Sequence, residues 1–267
     1  MTDVGKHRAW PGIGRLRRNH CRALFAVAAA LACAQARADA GPPMITDDPM
    51  TPGDGHWEIN VATTSDHSAG QTEYELPLLD INYGVGERVQ LKFEVPYVIQ
   101  TGNGSSRKGA GDSLIGVKWR FFDSGEDGWQ ISTYPQLETA FRFGESTQNG
   151  LTDSGVRYLL PIEVQHAVGP VGVNFEVGRW LRPDRQGDSW ISGIVLSHEV
   201  SKGFDILAEL HDEADLGFHH DELIVNFGAR YDCSERYSLL FSAGRDLHNG
   251  LADTSTLLTY LALQIHL

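Results

Sequence analysis

Between His211 and Glu222 the chain places eight potential metal ligands in twelve residues, three imidazoles among five carboxylates. Imidazole with carboxylate suits zinc, nickel or copper, and carboxylates alone suit calcium or magnesium. His211, His219, His220 and Asp221 are the best-placed ligands of such a site, against the plainer expectation of a solvated hairpin. Ser65 and His67 stand two apart, as a nucleophile and its base could on one strand face. No glycine-flanked nucleophile surrounds them and no orienting residue can be named, so no catalytic residue is assigned and no cofactor is expected. The Gly-x-Gly pairs at Gly84 and Gly109 have no helix behind them to receive a phosphate and belong to turns.

A third set of charged residues becomes intelligible only through the elements that carry it. From Trp129 to Phe143 one parity reads Trp129, Ile131, Thr133, Pro135, Leu137, Thr139, Phe141, Phe143, and the other Gln130, Ser132, Tyr134, Gln136, Glu138, Ala140, Arg142. One face suits lipid and the other water. The same two-residue period returns in twelve stretches: 56–65, 72–83, 89–100, 112–122, 129–143, 156–166, 171–182, 190–201, 204–214, 222–233, 237–247 and 256–267. A strand crossing a bilayer at a tilt of about 45° needs roughly 9–11 residues. A spanning sheet must close, because edge amides find no partner in hydrocarbon. The expected fold class is therefore all-β: a closed antiparallel transmembrane β-barrel of about 12 strands, with short periplasmic turns alternating with longer extracellular loops. The segments Thr101 to Gly111 and Gly144 to Gly155 are the longest expected loops.

Aromatic residues are expected in two belts at the strand ends, where one side is apolar and the other wet. Trp57, Tyr83, Trp119, Phe121, Trp129, Phe204, Tyr231 and Tyr237 fall at the turn ends, and Tyr74, Tyr97, Phe141, Phe143 and Tyr158 at the loop ends.

With apolar parities outward, the lumen is lined by Lys92, Glu94, Lys118, Arg120, Glu138, Arg142, Arg157, Glu163, Glu176, Glu209 and Arg230. Charges in such a place must be hydrated or paired. The cations Lys92, Lys118, Arg120, Arg142, Arg157 and Arg230 are expected opposite the glutamates. The result is either a polar path for solutes or a salt-bridged core that conducts little. Twelve strands lie between the eight that give a filled lumen and the sixteen that give an open one.

Ahead of the strands, Arg15, Arg17, Arg18 and Arg22 precede the apolar run Ala23 to Ala34, and Ala36-Arg37-Ala38 has the small-x-small pattern of a secretory cleavage site. Residues 1–38 are expected to be removed by cleavage after Ala38, with Ala38-Asp39-Ala40 as the second choice. Their removal takes seven basic residues and one acid, and the formal charge falls from −13 to 15 − 34 = −19. So acidic a chain repels nucleic acid. Cys233 is then the one remaining cysteine, and no intrachain disulfide can form. Residues 39–55 form a lead-in whose Pro43, Pro49 and Pro52 exclude a regular helix or central strand. It is expected in or across the periplasmic mouth as a plug, its acids near basic lumen residues, ahead of a barrel over 56–267.

Three segments together resemble a known family: Met44-Ile45-Thr46-Asp47-Asp48-Pro49 followed by Gly55-His56-Trp57-Glu58, then Leu91-Lys92-Phe93-Glu94-Val95-Pro96-Tyr97, then Gly109-Ala110-Gly111-Asp112 running to Phe121. The chain resembles the outer-membrane transporters named after the meta-cleavage pathway of phenol degradation, over nearly all of the expected mature chain. The resemblance implies a Gram-negative outer-membrane barrel that passes small hydrophobic or aromatic molecules, and it brings no catalytic or binding residues with it. The partners expected are membrane lipid, the solute, and the barrel-assembly machinery acting on the last strand, where Leu261, Leu263, Ile265 and Leu267 alternate. That strand ends in Leu where such barrels usually end in Phe.

Overall fold

The computed structural model describes residues 41–102, 104–125, 128–140, 150–152, 155–184, 187–250 and 254–267. Residues 1–38 lie outside the described residues, as do Phe141, Arg142 and Phe143.

Fourteen ladder segments follow one another: β1 (Trp57–Ser68), β2 (Gln71–Val85), β3 (Val89–Gly102), β4 (Ser105–Ala110), β5 (Asp112–Asp123), β6 (Gln130–Thr133), β7 (Gln136–Ala140), β8 (Val156–Val168), β9 (Val171–Leu181), β10 (Ser189–Ser201), β11 (Phe204–Asp215), β12 (Asp221–Ser234), β13 (Tyr237–Asn249) and β14 (Ser255–His266). Neighbours pair antiparallel, and β14 returns to β1 from Glu58↔His266 to Ser68↔Ser255, which closes the sheet. β3 pairs with both β4 and β5, and β8 with both β6 and β7. β4 with β5 is thus one barrel strand interrupted at Gly111, and β6 with β7 another interrupted at Tyr134 and Pro135. The result is a closed barrel of twelve strands. Pro135 has no N–H for the ladder, yet its carbonyl still accepts from the Val117 amide at 3.0 Å.

Alternation sets the two faces. Val61, Leu91, Ile115, Val177, Phe227 and Leu261 are exposed, while Asn60, Asp80, Lys118, Glu163 and Glu209 on the other parity are buried. A protein surrounded by water does the reverse. Hydrocarbon outside the barrel and a hydrated, hydrogen-bonded interior account for the inversion. At the turn end Trp57 lies 4.5 Å from Tyr83 and Trp119 lies 5.7 Å from Phe121, ring centre to ring centre. Tyr74, Tyr97 and Tyr158 are exposed near the other end.

Two expectations need correction. Thr101 to Gly111 is not a loop: β3 and β4 stay paired from Tyr97↔Ala110 to Gly102↔Ser105. Ser105, Ser106, Arg107 and Lys108 carry no apolar alternation, because a hairpin extending into water has no lipid face to mark. Residues 129–143, read as one strand, are broken at Tyr134 and Pro135, with Tyr134 wholly buried on the inward side.

Candidate functional site: the lumen and its lead-in

Residues 41–55 contain no strand or helix and precede β1 at the turn end. Their backbone still needs hydrogen-bond partners, and inward-facing side chains of the barrel supply them. The Glu209 carboxylate accepts the amides of Ile45 (3.1 Å) and Thr46 (2.6 Å), and Glu176 accepts that of Asp47 (3.1 Å). Asn174 donates to the Asp47 carbonyl, and Ser242 donates to that of Pro43 at 2.8 Å. Met44 packs with Val195 and Leu207 in a small apolar cluster. Thr46 Oγ1 lies 3.3 Å from Nδ1 of His211.

At two wall positions any side chain would collide with the lead-in as it is docked. A Cβ at Gly193 would meet Thr46 Oγ1 at 1.9 Å, and one at Gly84 would meet the Gly53 carbonyl oxygen at 1.8 Å. Glycine within a strand marks the close approach of another group, and here that group is the lead-in, by the Thr46 side chain at Gly193 and by the Gly53 backbone at Gly84.

Charge fixes the centre of this assembly. Lys118, buried on β5, lies 2.8 Å from Asp47, 3.9 Å from Asp48 and 4.0 Å from Glu163, and also donates to the Asp48 carbonyl. Burial alone would raise the pKa of Asp47. The charges of Lys118 and Lys92, with hydrogen bonds from Lys118 and the Asp48 amide, outweigh it and hold the carboxyl below its ordinary range. Lys118 also sits 4.7 Å from the centre of the Tyr134 ring.

Two of the cations meet glutamates as expected: Lys92 lies 2.9 Å from Glu94, with Asp80 a further partner at 3.5 Å, and Arg157 donates to Glu138 through two hydrogen bonds of 2.6 and 2.7 Å. Others are redirected. Arg120 takes Asp123 (3.3 Å) and the Glu87 carbonyl (2.7 Å), and Arg230 takes Asp232 (3.1 Å). Glu176 and Glu209, expected opposite cations, hold lead-in amides instead, because a carboxylate accepts from any donor and the Pro-rich segment has amides with no partner of their own. Arg142 lies outside the described residues. One sequence signal of the docked lead-in is Gly193, a glycine inside an alternating stretch.

Toward the loop end some inward positions are apolar. Leu159, Trp180 and Ile191 pack together, and the Arg157 guanidinium lies 4.0 Å from the Trp180 ring centre. Val98 and Ile224 are buried at comparable positions on β3 and β12. The lumen is therefore polar and filled at the turn end, and mixed beyond, where these apolar side chains alternate with buried Ser189, Asp246 and Ser255.

The remaining candidate groups do not converge. His211 points inward to Thr46, whereas His219 and His220 are exposed in the turn after β11 and Asp221 opens β12. Among the described residues no three His, Cys, Asp or Glu side chains are placed to hold a metal ion. Alternation separates them: His211 is in the wall, and the others cap its end. Ser65 bonds Thr259 at 2.7 Å and His67 bonds Thr72 at 2.6 Å, so each is engaged with a cross-strand threonine and not with the other.

A closed, twelve-stranded, outward-apolar barrel of this kind has the fold of outer-membrane β-barrels. The chain is similar to an outer membrane channel from Pseudomonas putida F1, with a TM-score of 0.68 and 12% identity over 84% of this chain and 100% of that one. It is also similar to the NanC porin (TM-score 0.54, 9% identity, 78% and 98% covered). The translocator domain of the autotransporter NalP from Neisseria meningitidis gives a TM-score of 0.52 at 12% identity, with 94% of each chain covered. No protein-family model matches the chain, and no curated relative matches it.

Proposed function

We propose that the protein is an outer-membrane channel through which small hydrophobic or aromatic molecules cross passively, down their concentration gradient. Both strand termini then lie in the periplasm, the lead-in plugs the periplasmic half, and the acidic barrel uses no cofactor. The observation that carries this reading is the inward apolar cluster of Leu159, Trp180 and Ile191 toward the loop end, ahead of the hydrogen-bonded plug; all three are buried, Trp180 beneath the Arg157 guanidinium, so a solute reaches this apolar surface by displacing that side chain. A hydrated sugar gains nothing from such a surface, whereas an aromatic ring gains roughly 25 cal/mol per Å² of apolar area removed from water. The channel and porin similarities support the channel class, and the phenol-pathway resemblance supports the solute class.

The experiment is a swelling assay on proteoliposomes, comparing a small aromatic solute with a sugar of similar size. Faster aromatic passage, slowed by Trp180→Ala, supports the reading. Equal passage of both solutes, insensitive to Trp180, contradicts it. A second reading, a rigid barrel with an occluded lumen, draws on the density of bonds around Lys118, and it requires that neither solute passes.

A further inference from the structure

We propose that Arg157 makes the lumen selective for aromatic rings over saturated ones, as a lid on Trp180 that yields most readily to a solute able to replace the contact it gives up. This rests on the reading of the barrel as a channel for small hydrophobic or aromatic molecules, and it divides that class by ring chemistry.

The lid is built from three neighbouring strands. Glu138 on β7 stands opposite Arg157 on β8, and Leu159, the next inward residue of β8, stands opposite Trp180 on β9. Arg157 is therefore one inward step closer to the loop end than the cluster of Leu159, Trp180 and Ile191. From there its guanidinium reaches both ways. Nε and Nη2 donate to the two Glu138 carboxylate oxygens at 2.6 and 2.7 Å, and Cζ lies 4.0 Å from the Trp180 ring centre. The Arg157 side chain is 31% exposed and Trp180 only 9%. A molecule in the lumen meets the guanidinium before the indole.

Exchange of contacts decides what can open it. A guanidinium over an aromatic face is held by the quadrupole of the ring, and indole holds it best. Lifting the Arg157 side chain forfeits that contact and uncovers the indole. An aromatic solute entering between the two restores both losses: one of its faces receives the guanidinium and the other stacks on Trp180. A saturated ring of the same size buries similar apolar area, but it has no π face to offer the cation. A sugar offers neither. Glu138 keeps the guanidinium charge paired as the side chain lifts, so the exchange strands no bare cation in a confined space. An ion pair that merely braced the wall would not distinguish the two kinds of ring.

The test compares uptake of L-phenylalanine and L-cyclohexylalanine by proteoliposomes of the protein purified from outer membranes, at low solute concentration, with each solute measured by mass spectrometry. The two carry the same zwitterion and differ in ring chemistry, so the fixed charges of the lumen act on both alike. Wild type should take up phenylalanine about two- to fivefold faster, the factor that one exchanged cation–π contact supplies. Arg157→Ala should bring the two rates together. So should Glu138→Arg combined with Arg157→Glu, which keeps an ion pair but moves the guanidinium to β7, two strands or about 10 Å from Trp180. Heat-modifiable gel mobility reports whether each variant is folded, and the exchanged pair carries the test if Arg157→Ala is not. Equal uptake of both rings by wild type, each faster than a sugar of similar size, would overturn the lid and leave the channel reading standing. A ratio that survives the exchanged pair would overturn the lid as well. Uptake of neither ring would overturn both readings together.

Discussion

Asp47 and Lys118 are 71 residues apart in sequence and 2.8 Å apart inside the barrel. One belongs to a segment without regular structure and the other to the middle of a strand, so this contact fastens the lead-in to the wall. Removing one partner of a buried ion pair leaves the other charge uncompensated, at about 3–5 kcal/mol. The loss should be uneven. In Lys118→Met three carboxylates lose their common cation, whereas in Asp47→Asn the lysine keeps Asp48 and Glu163. Heat-modifiable gel mobility should show Lys118→Met to be the less stable barrel, with Asp47→Asn folded but more conductive. Equal stability of the two would mean that the pair does not organise the lumen.

Acid should release the lead-in. The folded pKa of Asp47 lies below its ordinary value of about 3.8, so the stabilisation it provides is fully present above that ordinary value and is lost as pH falls through the lowered one. Between pH 5 and 8 this group contributes no pH dependence. Current through a planar bilayer should be flat over that range as far as Asp47 governs it, and should rise below about pH 4. Asp47→Asn should abolish the acid step, and an unchanged step in that variant would assign it to another group.

The wall glycines give a steric test. Gly193→Val places carbon where Thr46 now sits, at less than 2 Å from the place a Cβ would occupy. The lead-in must move while the antiparallel ladder, which accepts valine readily, stays closed. Conductance should rise with gel mobility retained, and adding Thr46→Gly should reverse part of the rise. A Gly193→Val barrel that conducts like wild type would show that the contact does not hold the lead-in.

The outer face can be probed at Leu261, which is exposed on β14 and paired with Thr63 and Phe241. Arginine on the lipid face near the midplane costs about 2–4 kcal/mol. Leu261→Arg should therefore reduce assembled protein, and Leu261→Met should not. Assembly of both at wild-type level would contradict the lipid-facing parity.

The sequence carried the strands well because hydrocarbon and water on opposite faces write a period of two into each of them. It also placed Glu138 and Arg157 among the inward charges, and the two are neighbours across β7 and β8. The lead-in was less legible. Pro43, Pro49 and Pro52 remove periodicity along with regular structure, and nothing in charge counting says that Glu176 and Glu209 will take backbone amides when arginines are also at hand. The β3–β4 extension was hidden for a related reason: Ser105 to Lys108 pair as strand without a lipid face to show it.

The most direct test of the account is the single-channel conductance of the barrel with and without residues 41–52. If the lead-in fills the turn end of the lumen as its bonds to Glu176, Glu209 and Lys118 require, deletion should raise conductance severalfold while heat-modifiable mobility persists. A deletion barrel that folds and conducts no more than wild type would contradict it.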